Sequence, residues 1–319
     1  MKLFPSSSTA FEWLAFRNHI GLKGFKKLSS SHSWKRNGSL LHQTLHSSSR
    51  QQLFHTRTPR MATTSSLDQQ QLVFMESEDC ILVTEQDQEK GRASKKQCHV
   101  WANIDSKVGD DNVPYLHRAF SVFLFNSKGQ LLLQQRASEK ITFPDYWTNT
   151  CCSHPLYNLD SEREGKNQSG VRTAARRKLE HELGIPQSSI DPDRFIYLTR
   201  ILYKAPSGNP QDSQWGEHEV DYCLFYVLTE KEDAQFEEHL KSMNLNEVRA
   251  VKYVNADELL HMLDVLNEQK KEIEITPWFK LICRRFLFKW WETLLPCMEK
   301  NDFSALDAMK DHENVHKLN

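Results

Sequence analysis

Residues 171–186 read VRTAARRKLEHELGIP, and the periodicity of this stretch decides the centre of the fold. Its apolar residues recur close to the 3.6-residue period of an α-helix. They are Val171, Ala174, Ala175, Leu179 and Leu183. Gly184 and then Pro186 end the pattern, because glycine favours a left-handed cap and proline cannot continue a helix. The spacing therefore predicts one amphipathic helix over residues 171–183.

Strand-like segments lie on both sides of this helix. Residues 117–125 are almost continuously β-branched or aromatic, 127–129 supply turn residues, and 131–136 resume the pattern, which predicts a hairpin with a buried strand. Further strands are predicted over 80–84, 195–203 and 219–228, a polar loop over 206–212, and helices over 257–270 and 278–295. Strands mixed with helices predict the α+β class, with a mixed β-sheet sandwiched between helices in a single domain.

The first 60 residues differ in charge from the rest. They hold ten Lys or Arg and one acid, Glu12, a balance of +9 against −10 for the remainder. A serine-rich, basic segment with an amphipathic start is typical of an organellar presequence. We expect residues 1–60 to be a disordered mitochondrial targeting presequence; the alternative is a basic tail or a stretch upstream of a start at Met61. A form starting at Met61 would be cytoplasmic or peroxisomal.

The remaining boundaries follow from composition. We expect a linker and lead-in over 61–79, the domain over 80–296 and a C-terminal tail over 297–319. Hydrophobic residues at 39% and charged residues at 26% are ordinary globular values. No stretch approaches the roughly 18 apolar residues of a membrane span. Seven cysteines without a CxxC pair predict free thiols. We expect a monomer that does not bind nucleic acid.

A pair of carboxylates marks a candidate site. Glu217 and Glu219 are two residues apart at the mouth of a predicted strand, so their side chains leave on the same face. Two carboxylates pointing the same way repel each other unless a cation or a shared proton intervenes, and a divalent metal is the natural partner. Histidines could complete the site, but the residues alone leave open which of the fourteen do so. A Glu-x-Glu pair on a solvated strand edge is the alternative, and no HExxH motif occurs.

The end of the helix resembles the end of a Nudix box, R-E-U-x-E-E-x-G-U with U apolar. The matching residues are Arg177, Leu179, Glu182, Gly184 and Ile185. Lys178 and His181 replace glutamates with which Nudix hydrolases hold magnesium, and Ser169 stands where the box opens with another. The resemblance implies a Nudix-type fold whose hydrolytic site has been dismantled.

A wider pattern resembles the type I isopentenyl-diphosphate isomerases from about Cys80 to Trp291. It is carried by residues 116–122 (LHRAFSV), 143–155 (FPDYWTNTCCSHP), 215–219 (WGEHE) and 275–279 (ITPWF). The resemblance implies an enzyme of isoprenoid biosynthesis with isopentenyl diphosphate as its small-molecule substrate. It would form dimethylallyl diphosphate by protonation and deprotonation through a tertiary carbocation.

The same resemblance assigns roles residue by residue. A divalent metal, Mg, Mn or Zn, would be held by His99, His117, His154, Glu217 and Glu219. Glu182 would bind a second Mg²⁺ that arrives with the diphosphate. The catalytic residues would be Cys152, Glu219 and Tyr203, with the order of the two proton transfers left open. The substrate would contact Lys95, Arg136, Lys140, Lys178 and Trp278, of which Trp278 faces the hydrocarbon part. Cys151 matches no catalytic position, and we expect it to pack in the core.

Two other functions remain to be weighed. A Nudix hydrolase acting on a nucleoside or prenyl diphosphate would use the same fold, but the box glutamates are replaced at 169, 178 and 181. A catalytically inactive metal-binding scaffold would lack some of His99, Cys152 and Glu219, and all three are present.

Overall fold

The computed structural model describes residues 68–106, 115–267 and 273–318. The chain divides into two units, Met1–Met61 and Ala62–Asn319, and every described residue belongs to the second. The predicted presequence, the first part of the predicted linker and residues 268–270 of the predicted helix 257–270 lie outside the described residues.

The described residues contain ten strands, which belong to one sheet. The strands are β1 (Asp79–Val83), β2 (Glu89–Ser94), β3 (His117–Phe125), β4 (Leu131–Arg136), β5 (Trp147–Thr148), β6 (Cys151–Ser153), β7 (Ile196–Pro206), β8 (Gly216–Val227), β9 (Val248–Val254) and β10 (Val315–Lys317).

The helices lie before, between and after these strands. They are α1 (Gln69–Ser77), α2 (Lys95–His99), α3 (Trp101–Ile104), α4 (Asp160–Arg163), α5 (Ser169–Leu183), α6 (Glu230–His239), α7 (Ala256–Asn267), α8 (Pro277–Ile282), α9 (Phe288–Lys300) and α10 (Ser304–Asp307). Helix α5 confirms the predicted helix 171–183 and begins two residues earlier. Gly184 ends it at φ 69°, where a Cβ would lie 2.8 Å from the backbone oxygen of Ser242, so glycine is required there.

Strand β3 is the central strand of the sheet. The main path runs β10-β7-β8-β3-β1-β2, with β3 and β8 parallel and β7 antiparallel to β8. The register places His117 beside Glu219 and Glu219 beside Tyr203. Three residues that are far apart in the sequence thus meet at one edge of adjacent strands.

Helices cover both faces of the sheet, which confirms the predicted class. On one face, Val171, Ala175 and Leu179 of α5 pack with Phe120 and Leu124 of β3. On the other, Phe279 and Trp291 of the C-terminal helices pack with Phe123 and Phe125. Alternate residues of β3 thus enter opposite cores, and the whole strand is buried.

The predicted hairpin over 117–136 is confirmed at its turn, but its two strands do not pair along their length. Strands β3 and β4 pair at Phe125 and Leu131 alone, and β4 then pairs with β5 and β9. The segment around Thr150 separates them, because the Thr150 hydroxyl donates to the carbonyl of Leu132 at 2.5 Å and accepts from the amide of Leu124 at 2.8 Å. Because this segment lies between β3 and β4, β6 with its two cysteines pairs with β3.

The C-terminal part of the chain also differs from the expected tail. Helix α9 continues through the boundary expected at residue 296, and β10 adds a parallel strand beside β7. The helix predicted over 278–295 is two helices, α8 and α9, joined by a π-helical turn over Cys283–Leu287. All seven cysteines are free, as the sequence predicts.

Candidate active site

Five side chains converge at the ends of β3, β6 and β8. His99 is the last residue of α2, His117 begins β3, His154 follows β6, and Glu217 and Glu219 belong to β8. Their nearest ligand-type atoms all lie within 4.8 Å of one another, and all five residues are buried. The structure therefore joins the two carboxylates that strand geometry predicts with the three histidines that the family resemblance supplies.

Backbone carbonyls orient two of the imidazoles. His99 Nδ1 donates to the carbonyl of Lys95 at 2.6 Å, and His117 Nδ1 donates to the carbonyl of Tyr115 at 2.9 Å. Since a carbonyl can only accept, each Nδ1 carries a proton and each Nε2 points towards the cluster, where it would supply its lone pair to a metal ion. Burial lowers the pKa of His117, but the Glu219 carboxylate outweighs it and raises this pKa to about 9, so His117 would give up the Nε2 proton on binding a metal. Burial lowers the pKa of His154 well below its usual range, and the charges of His117 and His99, when these rings are protonated, lower it further, which leaves the His154 imidazole neutral.

The cluster has the donor set of a divalent metal site. Nε2 of His99 lies 2.8 Å from Glu217 Oε2, and Nε2 of His154 lies 2.8 Å from Glu219 Oε1. Among the described residues, the buried His117 Nε2 has no hydrogen-bond partner, and it lies 3.6 Å from Glu219 Oε1. Buried polar atoms without partners are costly, and a cation would satisfy them. Imidazole and carboxylate ligands together fit a divalent metal, so this group could hold one.

Cys152 lies on β6 and faces the same pocket. Its Sγ is 3.9 Å from Arg136 Nη1 and 4.0 Å from Thr148 Oγ1. Burial raises the pKa of Cys152 to about 12, although the Arg136 charge acts against it. The side chain is therefore a protonated thiol at neutral pH. Its neighbour Cys151 is fully buried in the core beneath α5, which confirms the expected packing role.

Aromatic side chains line the pocket next to the carboxylate of Glu219. The rings of Tyr203 and Trp278 have centroids 5.9 Å apart, and Phe143 packs edge-on against Trp278 at 5.3 Å. Trp278 Nε1 donates to Asn149 Oδ1 at 3.1 Å. The indole is therefore held by a hydrogen bond as well as by packing.

One pocket brings most of the predicted residues together. Its lining includes Lys95, His99, Arg136, Lys140, Cys152, His154, Tyr203, Glu217, Glu219 and Trp278. Three predicted residues, His117, Lys178 and Glu182, are not in the lining. Lys178 Nζ lies 3.2 Å from Glu182 Oε1, and Glu182 Oε2 lies 3.5 Å from Cys151 Sγ. This pair therefore sits next to Cys151 and not in the pocket lining.

The cations of the pocket are already engaged by protein groups. Lys95 Nζ donates to Glu78 Oε2 and Lys140 Nζ to Glu247 Oε2, both at 2.6 Å. Arg136 donates from Nε and Nη2 to carbonyls of the 142–143 loop, and its Nη1 faces Cys152. These contacts fix where each positive charge lies.

Sequence reasoning missed several residues of the pocket. They are Gln71, Met75, Ile141, Thr142 and Ser153, together with the lysine partners Glu78 and Glu247. Gln71 and Met75 fall in the segment expected to be a linker. Asp68 gave one signal of a helix there, because its side chain caps α1 by accepting from the amides of Gln70 and Gln71.

Fold and site together define a NUDIX-domain protein, since the family model described as "NUDIX domain" matches residues 115–279. Isopentenyl-diphosphate Delta-isomerase II of Camptotheca acuminata is 43% identical over 318 residues, which cover 100% of this chain and 92% of the relative. The isopentenyl-diphosphate delta-isomerase of Phaffia rhodozyma is 50% identical over 242 residues, or 76% of this chain and 86% of the relative. The chain belongs to the isopentenyl-diphosphate delta-isomerase family. A further relative, from Cannabis sativa, carries the name "Isopentenyl-diphosphate Delta-isomerase 1, chloroplastic" and is 44% identical over 80% of this chain and 79% of its own length.

Proposed function

We propose that this chain isomerises isopentenyl diphosphate to dimethylallyl diphosphate. The observation that carries the proposal is the joint presence of Cys152 and Glu219 in one buried pocket, beside a cluster that fits a divalent metal. Its membership of the isopentenyl-diphosphate delta-isomerase family supports the same reaction.

The reaction needs two proton carriers. An unactivated alkene is a poor base, so one group delivers a proton to the terminal CH₂ carbon and leaves a tertiary carbocation. The other group then removes a proton from the carbon on the diphosphate side, and the double bond forms in its new position. Cys152 and Glu219 are the proposed pair, since each can hold or release a proton. The face of the Trp278 ring stabilises the positive charge, as cation–π contacts do.

Tyr203 acts through Glu219 in this scheme. Its hydroxyl donates to Glu219 Oε2 at 2.5 Å, which leaves the other carboxylate oxygen for the histidine cluster. We therefore assign Tyr203 the task of holding Glu219 in the orientation that the proton transfer needs.

The diphosphate end is assigned to the cations of the pocket. Lys95, Arg136 and Lys140 line it, and Lys178 lies 3.2 Å from Glu182, outside the pocket lining. An ammonium group binds phosphate oxygens as a point charge, whereas a guanidinium presents a fork of donors. Glu182 is the proposed ligand of a second Mg²⁺ that enters with the diphosphate.

The first metal would be held by His99, His117, His154, Glu217 and Glu219. Mixed imidazole and carboxylate donors suit Mg, Mn or Zn in an open, higher-coordinate site. The ion would supply positive charge that sets the proton affinity of Glu219.

Product analysis separates the proposal from its alternatives. The full chain is incubated with isopentenyl diphosphate and Mg²⁺, and the products are identified by ³¹P and ¹H NMR. Dimethylallyl diphosphate supports the isomerase. Release of inorganic phosphate would instead support a hydrolase, and no conversion would support an inactive scaffold.

We propose, in addition, that residues 1–60 direct the chain to the mitochondrion and that a form starting at Met61 remains in the cytoplasm or peroxisome. The basic, acid-poor composition of this segment supports the proposal. No helix among the described residues is long and apolar enough to cross a membrane. Immunoblots of fractionated cells test the targeting: a single full-length band in the cytosol would overturn it, and a plastid band would reassign the organelle.

We propose a monomer, which sedimentation of the purified chain would test.

A further inference from the structure

One buried carboxylate joins two walls of the pocket's diphosphate end. Glu247 precedes β9, and its Oε2 accepts from Lys140 Nζ at 2.6 Å while its Oε1 accepts from Gln71 Nε2 at 2.9 Å. The side chains of Lys140 and Glu247 are only 12% and 2% exposed. Gln71 and Lys140 belong to distant parts of the chain, yet both line the pocket.

Backbone contacts hold the same region in register. The amide of Ala137 donates to the carbonyl of Glu247 at 3.0 Å, which fixes the start of the loop that carries Lys140. Gln71 Nε2 also lies within hydrogen-bond distance of the Asn246 carbonyl, 3.1 Å, and Asn246 Oδ1, 2.8 Å. Helix α1 is thus fastened to residues 246–247 by a side chain that is itself only 4% exposed.

The other end of α1 is tied to the second lysine of the pocket. Glu78 caps α1, and its carboxylate accepts from Lys95 Nζ at 2.6 Å. Both ends of α1 therefore connect, through a carboxylate, to a lysine that lines the pocket. Moving α1 would break hydrogen bonds to charged groups at both ends, which are among the stronger ones in proteins.

We propose that Glu247 is a positioning residue for diphosphate binding: it holds Lys140 and α1 together in the arrangement that receives the diphosphate group. The inference rests on the proposed function, since it takes Lys140 as a diphosphate contact. If the arrangement is only partly populated, the apparent affinity falls by the fraction that is competent to bind. Breaking the Gln71–Glu247 link should therefore weaken diphosphate binding, although the reacting groups, Cys152 and Glu219, stay in place.

Calorimetric titration of the full chain with inorganic pyrophosphate and Mg²⁺ tests this without turnover. The variants are Gln71→Met, Glu247→Gln and the double variant, with Val73→Ala as the control because Val73 lies on α1 but is 51% exposed. Each single variant should raise Kd about tenfold, as expected for the loss of a hydrogen bond to a charged group. The double variant should bind no more weakly than the weaker-binding single variant, because the two residues act through one link. Val73→Ala should bind as the wild type does.

Kinetics and hydrogen exchange separate positioning from a merely structural role. In both single variants KM for isopentenyl diphosphate should rise with Kd while kcat stays close to the wild-type value. Magnesium pyrophosphate should slow amide exchange over residues 71–78 in the wild type but not in Gln71→Met. A lower Tm with unchanged Kd, or losses that add in the double variant, would overturn the proposal. Gln71→Met decides the matter alone if Glu247→Gln does not fold. A wild type that binds pyrophosphate with the predicted dependence but does not turn over the substrate would overturn the proposed function only.

Discussion

The hydroxyl of Tyr203 donates to Oε2 of Glu219, and Oε1 of the same carboxylate faces His154. The two oxygens of Glu219 thus have separate partners, one at the aromatic wall of the pocket and one at the histidine cluster. Burial and the Glu219 charge raise the pKa of Tyr203 well above its usual range, so its hydroxyl keeps its proton. Glu219 is the residue where the proposed metal site and the proposed proton chemistry meet.

Tyr203→Phe removes only this hydroxyl. A hydrogen bond to a charged group contributes about 1.5–3 kcal/mol, so we expect kcat to fall by roughly 10- to 100-fold. KM should change little, because the diphosphate contacts are untouched. Steady-state kinetics measure both constants. A rise in KM with unchanged kcat would place Tyr203 in substrate binding instead.

Cys152→Ala and Glu219→Gln should each stop turnover. Loss of a general acid or base costs about 10²–10⁴ in rate, and both groups are required in one catalytic cycle. Cys151→Ala is the matched control: it changes the adjacent cysteine, which is packed in the core, and should keep a rate close to that of the wild type. Circular dichroism would confirm that all three variants fold. Near-full activity in Cys152→Ala or Glu219→Gln would refute the proposed pair.

Removal of metal should abolish activity and lower the Tm. The five ligands are buried, so their mutual repulsion and unmet hydrogen bonds should destabilise the metal-free protein, and a bound ion adds stability by mass action. Elemental analysis and thermal scans before and after dialysis against a chelator make the measurement. Glu217→Gln should lower the metal content per chain. Full activity in protein that contains no detectable metal would contradict the metal assignment.

The ion pair of Glu78 and Lys95 should make stability depend on acid pH. Burial alone would raise the pKa of Glu78, but the charge of Lys95, the charge of Lys178, the Lys95 hydrogen bond and the charge of Arg177 outweigh it and lower this pKa to about 2, from 4.5 in an unfolded chain. The resulting stabilisation, on the order of 3 kcal/mol, is complete above pH 4.5 and is lost as the pH falls from 4.5 towards 2. Denaturant unfolding should show Glu78→Gln to be less stable than the wild type at pH 6, with the difference shrinking across that window.

An exposed pair between the same two helices, α1 and α2, provides the control for this prediction. Glu76 and Lys96 are 61% and 46% exposed, and such pairs contribute little to stability. Glu76→Gln should therefore leave the unfolding curve unchanged, both at pH 6 and in the window from pH 4.5 towards 2. An equal loss in the two variants would show that burial of the Glu78–Lys95 pair has no special effect.

Local patterns predicted the elements better than their pairing. The helix before Gly184 and the buried strand from His117 are visible because period and turn residues act over a few positions. The pairing partners of β4 are not visible in the sequence. The hydroxyl of Thr150 separates β4 from β3 by hydrogen bonds to residues that are 18 and 26 positions away in the chain. Strand β10 is three residues long, too short for any periodicity to mark it.

The site residues show the same division between local patterns, which are visible in the sequence, and long-range contacts, which are not. Strand geometry alone places Glu217 and Glu219 on one face, whereas His99, His117 and His154 were selected by family resemblance, because isolated histidines carry no spacing signal. Gln71 and Glu247 were missed altogether. They meet across 176 positions, and nothing local to either residue indicates the other.

The most direct test of the central claim is to run the reaction in D₂O and follow it by ¹H and ²H NMR. Cys152 and Glu219 exchange their protons with solvent, so protonation of the alkene should place deuterium in the methyl group of dimethylallyl diphosphate. Variants Cys152→Ala and Glu219→Gln should give no labelled product. Unlabelled dimethylallyl diphosphate would contradict protonation by exchangeable groups, and inorganic phosphate as the product would contradict isomerisation itself.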